Sequence, residues 1–270
     1  MPAEFIIANR DPEAMAKYGL GGAAVVDDLV FCGGMALDIE HMCRVHEAET
    51  IADETRICFA GIAETLGHAG CKLSDIVKVN CYLTDDSYRQ EYWEEFKRTF
   101  APGPYPKRLT LTGGLAGDCR VELEVMAVRS DGAPIKVSTG RQLYGGGASV
   151  MSEAAGAGRL VYTSASAVNP LTRLRLPGTD TIYLETQVVI ERIERALGRA
   201  GLTLRDLAKV TCFVSDEAYR FDFIYAYRDL LAPGPYPSRA TYSIGLVGDC
   251  RVQIDAVAVR REDPDRAMRG

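Results

Sequence analysis

Apolar and polar positions alternate along this chain with two different periods, and the same succession of periods is written twice. Residues 29–32 (Leu-Val-Phe-Cys) and 160–163 (Leu-Val-Tyr-Thr) are short apolar runs that predict strands ending at small residues. Residues 50–69 and 181–200 carry apolar side chains at three- and four-residue steps, Ile62 and Leu66 in the first and Ile190, Ile193 and Leu197 in the second. That period predicts helices, stopped by Gly70 and Gly201. Ile76–Leu83 and Leu207–Val214 read as further strands. Tyr88, Tyr92, Phe96 and Phe100, matched by Tyr219, Phe223, Tyr227 and Leu231, place an aromatic stripe along a second helix, a spacing that indicates core. A Pro-rich turn ends that helix, because Pro cannot continue it.

Strands over 108–112 and 120–128 close the first unit. In the last of these, Val121, Leu123, Val125 and Ala127 share one face, which suits a helix-covered core. Arg120, Glu122, Glu124, Met126 and Val128 share the other. Two carboxylates in an apolar strand are costly unless their face is wet, paired or functional. A face half apolar and half charged suits an interface that contains a pocket.

The repetition is literal. Ala101-Pro-Gly-Pro-Tyr-Pro-Lys-Arg108 returns as Ala232-Pro-Gly-Pro-Tyr-Pro-Ser-Arg239, an offset of 131 (239 − 108). The same offset carries Gly117-Asp-Cys-Arg-Val121 onto Gly248-Asp-Cys-Arg-Val252, and 26 of the 59 positions between residues 71 and 129 are identical to their counterparts. A tandem duplication follows, with units at 1–134 and 135–260, a turn-rich linker at Ser130–Pro134, and a charged tail at 261–270. Strands mixed with helices predict an α+β class in which each unit is a mixed sheet covered by two helices on one face.

Composition narrows the partners. With 31 Lys and Arg against 37 Asp and Glu, a net charge of −6 argues against nucleic acid. No apolar run approaches the roughly 18 residues of a membrane span, and the start lacks a secretory leader's pattern, so a cytoplasmic, membrane-free location is expected. Eight Cys with no C-x-x-C pair, most of them in apolar segments, predict buried reduced thiols. His41, Cys43 and His46 invite a metal reading, but the repeat places Thr172, Leu174 and Pro177 there, and no metal is expected. Gly19–Gly22 and Gly145–Gly147 lack a phosphate-loop pattern and read as bends near a cleft. Cys119 and Cys250 each follow a Gly-Asp pair; with no His in the second unit to activate them, a structural thiol is favoured over a nucleophile.

Arg108 and Arg239 stand just after the Pro-stiffened turn, at the start of a strand. A guanidinium so placed can grip a planar carboxylate through two parallel hydrogen bonds. A structural salt bridge to Glu122 or Glu124 is the competing reading, and spacing leaves the two open.

Several of these motifs resemble the RidA/YjgF (Rid) superfamily, once per unit over nearly the whole chain: Leu-Val-Phe/Tyr before a small-residue turn, the helix openings Glu54-Thr55 and Glu185-Thr186, Leu73-Ser-Asp-Ile-Val-Lys-Val79, Pro-Tyr-Pro-x-Arg, and Val121-Glu-Leu-Glu-Val-Met-Ala-Val-Arg129. The resemblance implies a chorismate-mutase-like α+β fold, trimeric rings (here a homo-oligomer, a trimer of tandem chains) and ligand sites between neighbouring domains. It implies hydrolysis of a small carboxylated 2-imino or enamine compound to a keto acid and ammonia, without metal or organic cofactor.

Residue by residue, the family's carboxylate-binding Arg matches Arg108 and Arg239. Its water-positioning carboxylate matches Glu122 but becomes Gln253, and its Ser matches Ser164 but becomes Gly33. The family's Asn on the second helix is replaced by Trp93 and Ile224, and its early Tyr corresponds to Tyr18 and Tyr144. Cys119 and Cys250 stay among the candidate ligand contacts beside their structural reading. The expected chemistry has Arg108 holding the substrate carboxylate while Glu122 deprotonates water, with Gln253 sites weaker or vestigial. A deaminase for an aminomuconate-like enamine and a non-catalytic carboxylate-binding protein are the alternatives; an endoribonuclease is disfavoured by the acidity.

Overall fold

The computed structural model of the chain describes residues 3–6, 12–129, 135–137, 152–170 and 172–260. The first unit runs β1 (Glu4–Ile6), α1 (Pro12–Lys17), β2 (Ala23–Val26), β3 (Leu29–Met35), the short β4 (Leu37–Asp38) and β5 (Cys43–Arg44), α2 (Ile51–His68), β6 (Ile76–Leu83), α3 (Arg89–Phe100), β7 (Lys107–Thr112) and β8 (Val121–Val128). The second runs β9 (Ile135–Val137), β10 (Ala154–Ala157), β11 (Leu160–Ser166), α4 (Ile182–Arg199), β12 (Leu207–Val214), α5 (Arg220–Leu231), β13 (Ser238–Ser243) and β14 (Val252–Val259).

Local chemistry fixes the helix ends. Thr50 accepts a hydrogen bond from the Asp53 N–H at 3.0 Å while the Asp53 carboxylate accepts from the Thr50 N–H at 3.1 Å, a reciprocal cap that starts α2. Thr181 caps α4 through the Leu184 N–H. Gly70 and Gly201, both at φ +74°, turn the chain after the two helices as the sequence predicts. The Glu of each Glu-Thr opening is fully buried: Glu54 accepts from the Val121 N–H at 2.9 Å and from Arg120 Nε at 2.8 Å. Glu185 repeats this with Val252 at 3.0 Å and Arg251 at 2.7 Å. Each buried carboxylate thus ties the first turn of a helix to the start of the unit's last strand.

Each unit is one six-stranded sheet, ordered β1-β2-β3-β8-β6-β7 and β9-β10-β11-β14-β12-β13. Among the described residues only the pairs β6/β7 and β12/β13 are parallel. The predicted alternation holds: Val121, Leu123, Val125 and Ala127 are buried under α2 and α3, and Val252, Ile254, Ala256 and Ala258 under α4 and α5. Not foreseen were the hairpin partners β2 and β10, whose small residues carry weak periodicity. The small-residue turn after the early strand is instead strand: β3 continues through Gly33 and Gly34. A Cβ on Gly34 would stand 2.7 Å from the Cys58 carbonyl oxygen of α2, so the missing side chain permits that close approach. The C-terminal tail and the Gly-rich stretch at 145–147 lie outside the described residues.

The two units pack through their sheets, on the sides away from the helices. Leu109 and Leu111 of β7 join Val168, Leu246 and Val247 in one apolar cluster, and Val77 and Val128 join Ala155 and Tyr162 in another. Thr112 and Gly245 exchange backbone hydrogen bonds of 2.9 and 3.1 Å. Lys78 forms a buried ion pair with Asp255 of the other unit. This junction makes equivalent strands unequal. β7 is buried along most of its length, Leu111 being 1% exposed, whereas its counterpart β13 leaves Arg239 exposed and Tyr242 at 55%.

Candidate functional site

A cavity of about 140 Å³ opens at this junction. Unit one contributes Arg89 and Trp93 from α3 with Lys107, Arg108 and Thr110 from β7. Unit two contributes Ser152, Glu153, Ser164 and Ser166, residues from α4 including Arg192 and Arg195, then Val247 and Gln253.

Arg108 dominates it. Its side chain follows the Pro-rich turn into β7 and is 6% exposed. The guanidinium carbon lies 4.6 Å from the Trp93 ring centroid and 4.8 Å from that of Phe96, so two aromatic faces fix its plane. Among the described residues no carboxylate pairs with it, and Nη1 is buried with no hydrogen-bond partner. Burial pulls its pKa down to about 10, which leaves the cation intact at neutral pH. The structural salt bridge to Glu122 or Glu124 does not form. Arg239, on exposed β13, likewise has no carboxylate partner among the described residues; its guanidinium carbon sits 5.1 Å from the Tyr227 centroid.

Neighbours complete the wall. Lys107 donates to the Ser164 carbonyl oxygen at 2.8 Å, and burial lowers its amine to about 8, partly opposed by the charges of Asp255 and Glu153. The Ser164 hydroxyl donates to the Arg108 carbonyl oxygen at 3.4 Å. Arg89 is held on its own unit by Asp86 and by the Thr110 carbonyl at 3.1 Å.

The expected pairing of Arg108 with Glu122 is corrected. Glu122 lies in a separate, shallower hollow with Gly33, Tyr82, Leu115 and Glu124, while Gln253 lines the Arg108 cavity. The cause is geometric: the cavity takes its Arg from the edge strand of one unit and its wall from the middle strands of the other. Every described residue that lines the Glu122 hollow belongs to unit one, and Gly33, Leu115 and Glu122 are the repeat equivalents of Ser164, Leu246 and Gln253. The Glu122 carboxyl is pushed up from its ordinary pKa by burial and by the charge of Glu124.

Other candidates fall elsewhere. Tyr18 is exposed beyond the end of α1, its ring 5.0 Å from Lys17 Nζ, and lines neither hollow. Tyr144 lies outside the described residues. Cys119 and Cys250 are core thiols that line neither hollow. They donate to the Ala36 and Val252 carbonyls, and burial pushes Cys119 up to about 11 and Cys250 higher. Their place as ligand contacts is withdrawn, because a thiol so buried stays protonated and unreactive. Glu153, Arg192 and Arg195 belong to no repeated motif, their repeat equivalents being Gly22, Gly61 and Glu64, so sequence reasoning missed them.

Among the described residues no cluster of His, Cys, Asp or Glu could hold a metal, and no helix is long and apolar enough to cross a membrane. A family model for endoribonuclease L-PSP matches residues 8–129 and again 148–260. The mitochondrial protein mmf2 of Schizosaccharomyces pombe is 34% identical over 115 residues, which cover 39% of this chain and 84% of that protein. A chorismatase crystal structure superposes over 95% of this chain and 80% of its own with a TM-score of 0.63 at 13% identity, a likeness of fold. A Mycobacterium tuberculosis member of the YjgF/YER057c/UK114 family covers 47% of this chain and 99% of its own at 25% identity and a TM-score of 0.38. With the family model matched once in each unit, the chain belongs to the endoribonuclease L-PSP (YjgF/RidA) family as a tandem of two Rid-type, chorismate-mutase-like α+β domains.

Proposed function

We propose that the chain is a hydrolytic deaminase whose Arg108 cavity binds a small carboxylated 2-imino or enamine acid and releases a keto acid and ammonia. One observation carries this reading: a buried, charged guanidinium packed on two aromatic rings, on a side chain that lines the junction cavity, has an N–H without a partner. Burying a charge without a partner costs several kcal/mol, and a substrate carboxylate would offset that cost. The family includes imine deaminases, and a cavity of about 140 Å³ suits a metabolite rather than a nucleic-acid strand.

The carboxylate binds Arg108, with the Lys107 ammonium adding to the attractive field. The adjacent C=N carbon then faces the polar wall of Ser164 and Gln253. Gln253 holds a water by hydrogen bonds but cannot exchange a proton as a carboxylate does. Imines hydrolyse readily, so orientation supplies much of the acceleration needed.

The reading extends to assembly. β13 exposes Arg239 and Tyr242, equivalents of the covered Arg108 and Leu111, and Lys209 is exposed where Lys78 is buried against Asp255. Glu124, the equivalent of Asp255, is exposed on the other unit. The same contact repeated between copies would cover both faces, pair Lys209 with Glu124, and bring Arg239 beside Glu122. A homo-oligomer is therefore proposed, and the family resemblance makes it a trimer of tandem chains.

Three outcomes are expected. Freshly generated 2-iminopropionate is turned over, and Arg108→Ala lowers kcat/KM by about 10²–10³-fold, equivalent to losing roughly 3–4 kcal/mol of carboxylate binding, while Glu122→Gln keeps most activity. Loss on Arg239→Ala and Glu122→Gln but not on Arg108→Ala would move the chemistry to the other site; pyruvate binding without turnover would make this a carboxylate-binding protein only. Pyruvate affinity, followed by calorimetry, weakens as pH rises through about 8, where Lys107 loses its charge, and Lys107→Met flattens that step; an unaltered step contradicts the assignment. In sedimentation equilibrium the chain associates, Lys209→Glu weakens association, and adding Glu124→Lys restores it; a chain that stays monomeric refutes the assembly.

A further inference from the structure

We propose that Glu153 is the group that activates water in the Arg108 cavity, filling the role that Gln253 cannot. This rests on the imine-hydrolysis reading of that cavity and adds its general base. Glu153 immediately precedes β10 and lines the cavity opposite β7. One carboxylate oxygen is held in an ion pair by Arg199 of α4, which fixes the side chain. The other, Oε1, is buried without a hydrogen-bond partner among the described residues.

Arg108 Nη1 is orphaned in the same way on a wall supplied by the other unit. A buried polar atom without a partner asks for an explanation, and a bound water or ligand is one. Here the two side chains that carry such atoms, of opposite charge, line one cavity and are not paired with each other. A molecule with a carboxylate at one end, and a water poised over a polarised C=N carbon at the other, satisfies both. Arg199 on α4 pairs with Glu153, and Lys107 and Arg108 on β7, Arg192 and Arg195 on α4, and Gln253 on β14 line the same cavity. The repeat does not supply this residue: its equivalent in unit one is Gly22. Unit two therefore has Gln253 where unit one has the carboxylate of Glu122, and carries a carboxylate on the neighbouring hairpin.

The step balances. The protonated imine accepts the water oxygen at carbon as Glu153 takes one water proton, giving a neutral carbinolamine. Glu153 passes that proton to nitrogen. The C–N bond then breaks with its electron pair leaving on ammonia, the remaining hydroxyl forms the C=O bond, and its proton returns to Glu153 and thence to solvent, where ammonia takes it up.

The test uses the full chain, steady-state turnover of freshly generated 2-iminopropionate, and pyruvate binding by calorimetry. Glu153→Gln is expected to lower kcat by about 10²–10⁴-fold with pyruvate affinity unchanged, and to remove the acidic limb of the kcat/KM pH profile. Glu153→Asp keeps the charge one methylene short and should recover part of the rate and the limb. Unchanged kcat and pH profile in Glu153→Gln, with turnover lost in Arg108→Ala, would overturn the role of Glu153 and leave the deaminase reading standing. Joint loss of turnover and pyruvate binding in Glu153→Gln would mark a packing role and overturn the proposal as well. Absence of turnover by the parent chain would instead defeat the reading on which it rests.

Discussion

An unpaired guanidinium is sealed into the junction between two copies of one domain, and the site is organised around that fact. Removing a charged group from water costs several kcal/mol unless partners replace the water. The Trp93 and Phe96 faces return part of this for Arg108, about 0.5–2 kcal/mol by the usual worth of such contacts. In the proposed function a substrate carboxylate supplies the remainder. The Pro-rich turn fixes where the side chain begins, and the second unit fixes what it faces. Neither unit alone builds the cavity.

Duplication created two copies of each half-site but only one junction within the chain. The copies have diverged accordingly. Lys107, buried and bonded to Ser164, corresponds to Ser238 on an exposed strand. Asp255, paired with Lys78, corresponds to the exposed Glu124, which accepts a hydrogen bond from Asn80 at 2.9 Å. Gln253 closes the internal cavity, while its equivalent Glu122 sits with Gly33 in an open hollow. The chain thus carries one Arg-lined cavity walled by both units, and keeps Arg239 apart from the Glu122 hollow.

Much of the architecture was legible in the order of residues. Repeat, helix periods and the alternation of Val121, Leu123, Val125 and Ala127 report local geometry, and local geometry is what periodicity encodes. The buried thiols were legible for the same reason. Arg108 and Arg239 could be named as cations in search of a partner, because rigid turns leave a mark on sequence. Which wall each one meets was not legible: that depends on how two finished sheets pack, and identical motifs give identical expectations for β7 and β13 although one is covered and the other bare. Glu153 escaped notice because it follows a Gly-rich stretch without a period, and its equivalent in the first unit is Gly22. The small residues of β2 and β10 hid the hairpin strands in the same manner.

The most direct test of a carboxylate site at the unit junction is a crystal structure of the full chain soaked with pyruvate. The account predicts the pyruvate carboxylate within hydrogen-bond distance of the Arg108 guanidinium, with its keto carbon toward Ser164 and Gln253. A structure in which Arg108 turns instead to a protein carboxylate, with pyruvate absent from that cavity or bound elsewhere, would contradict it.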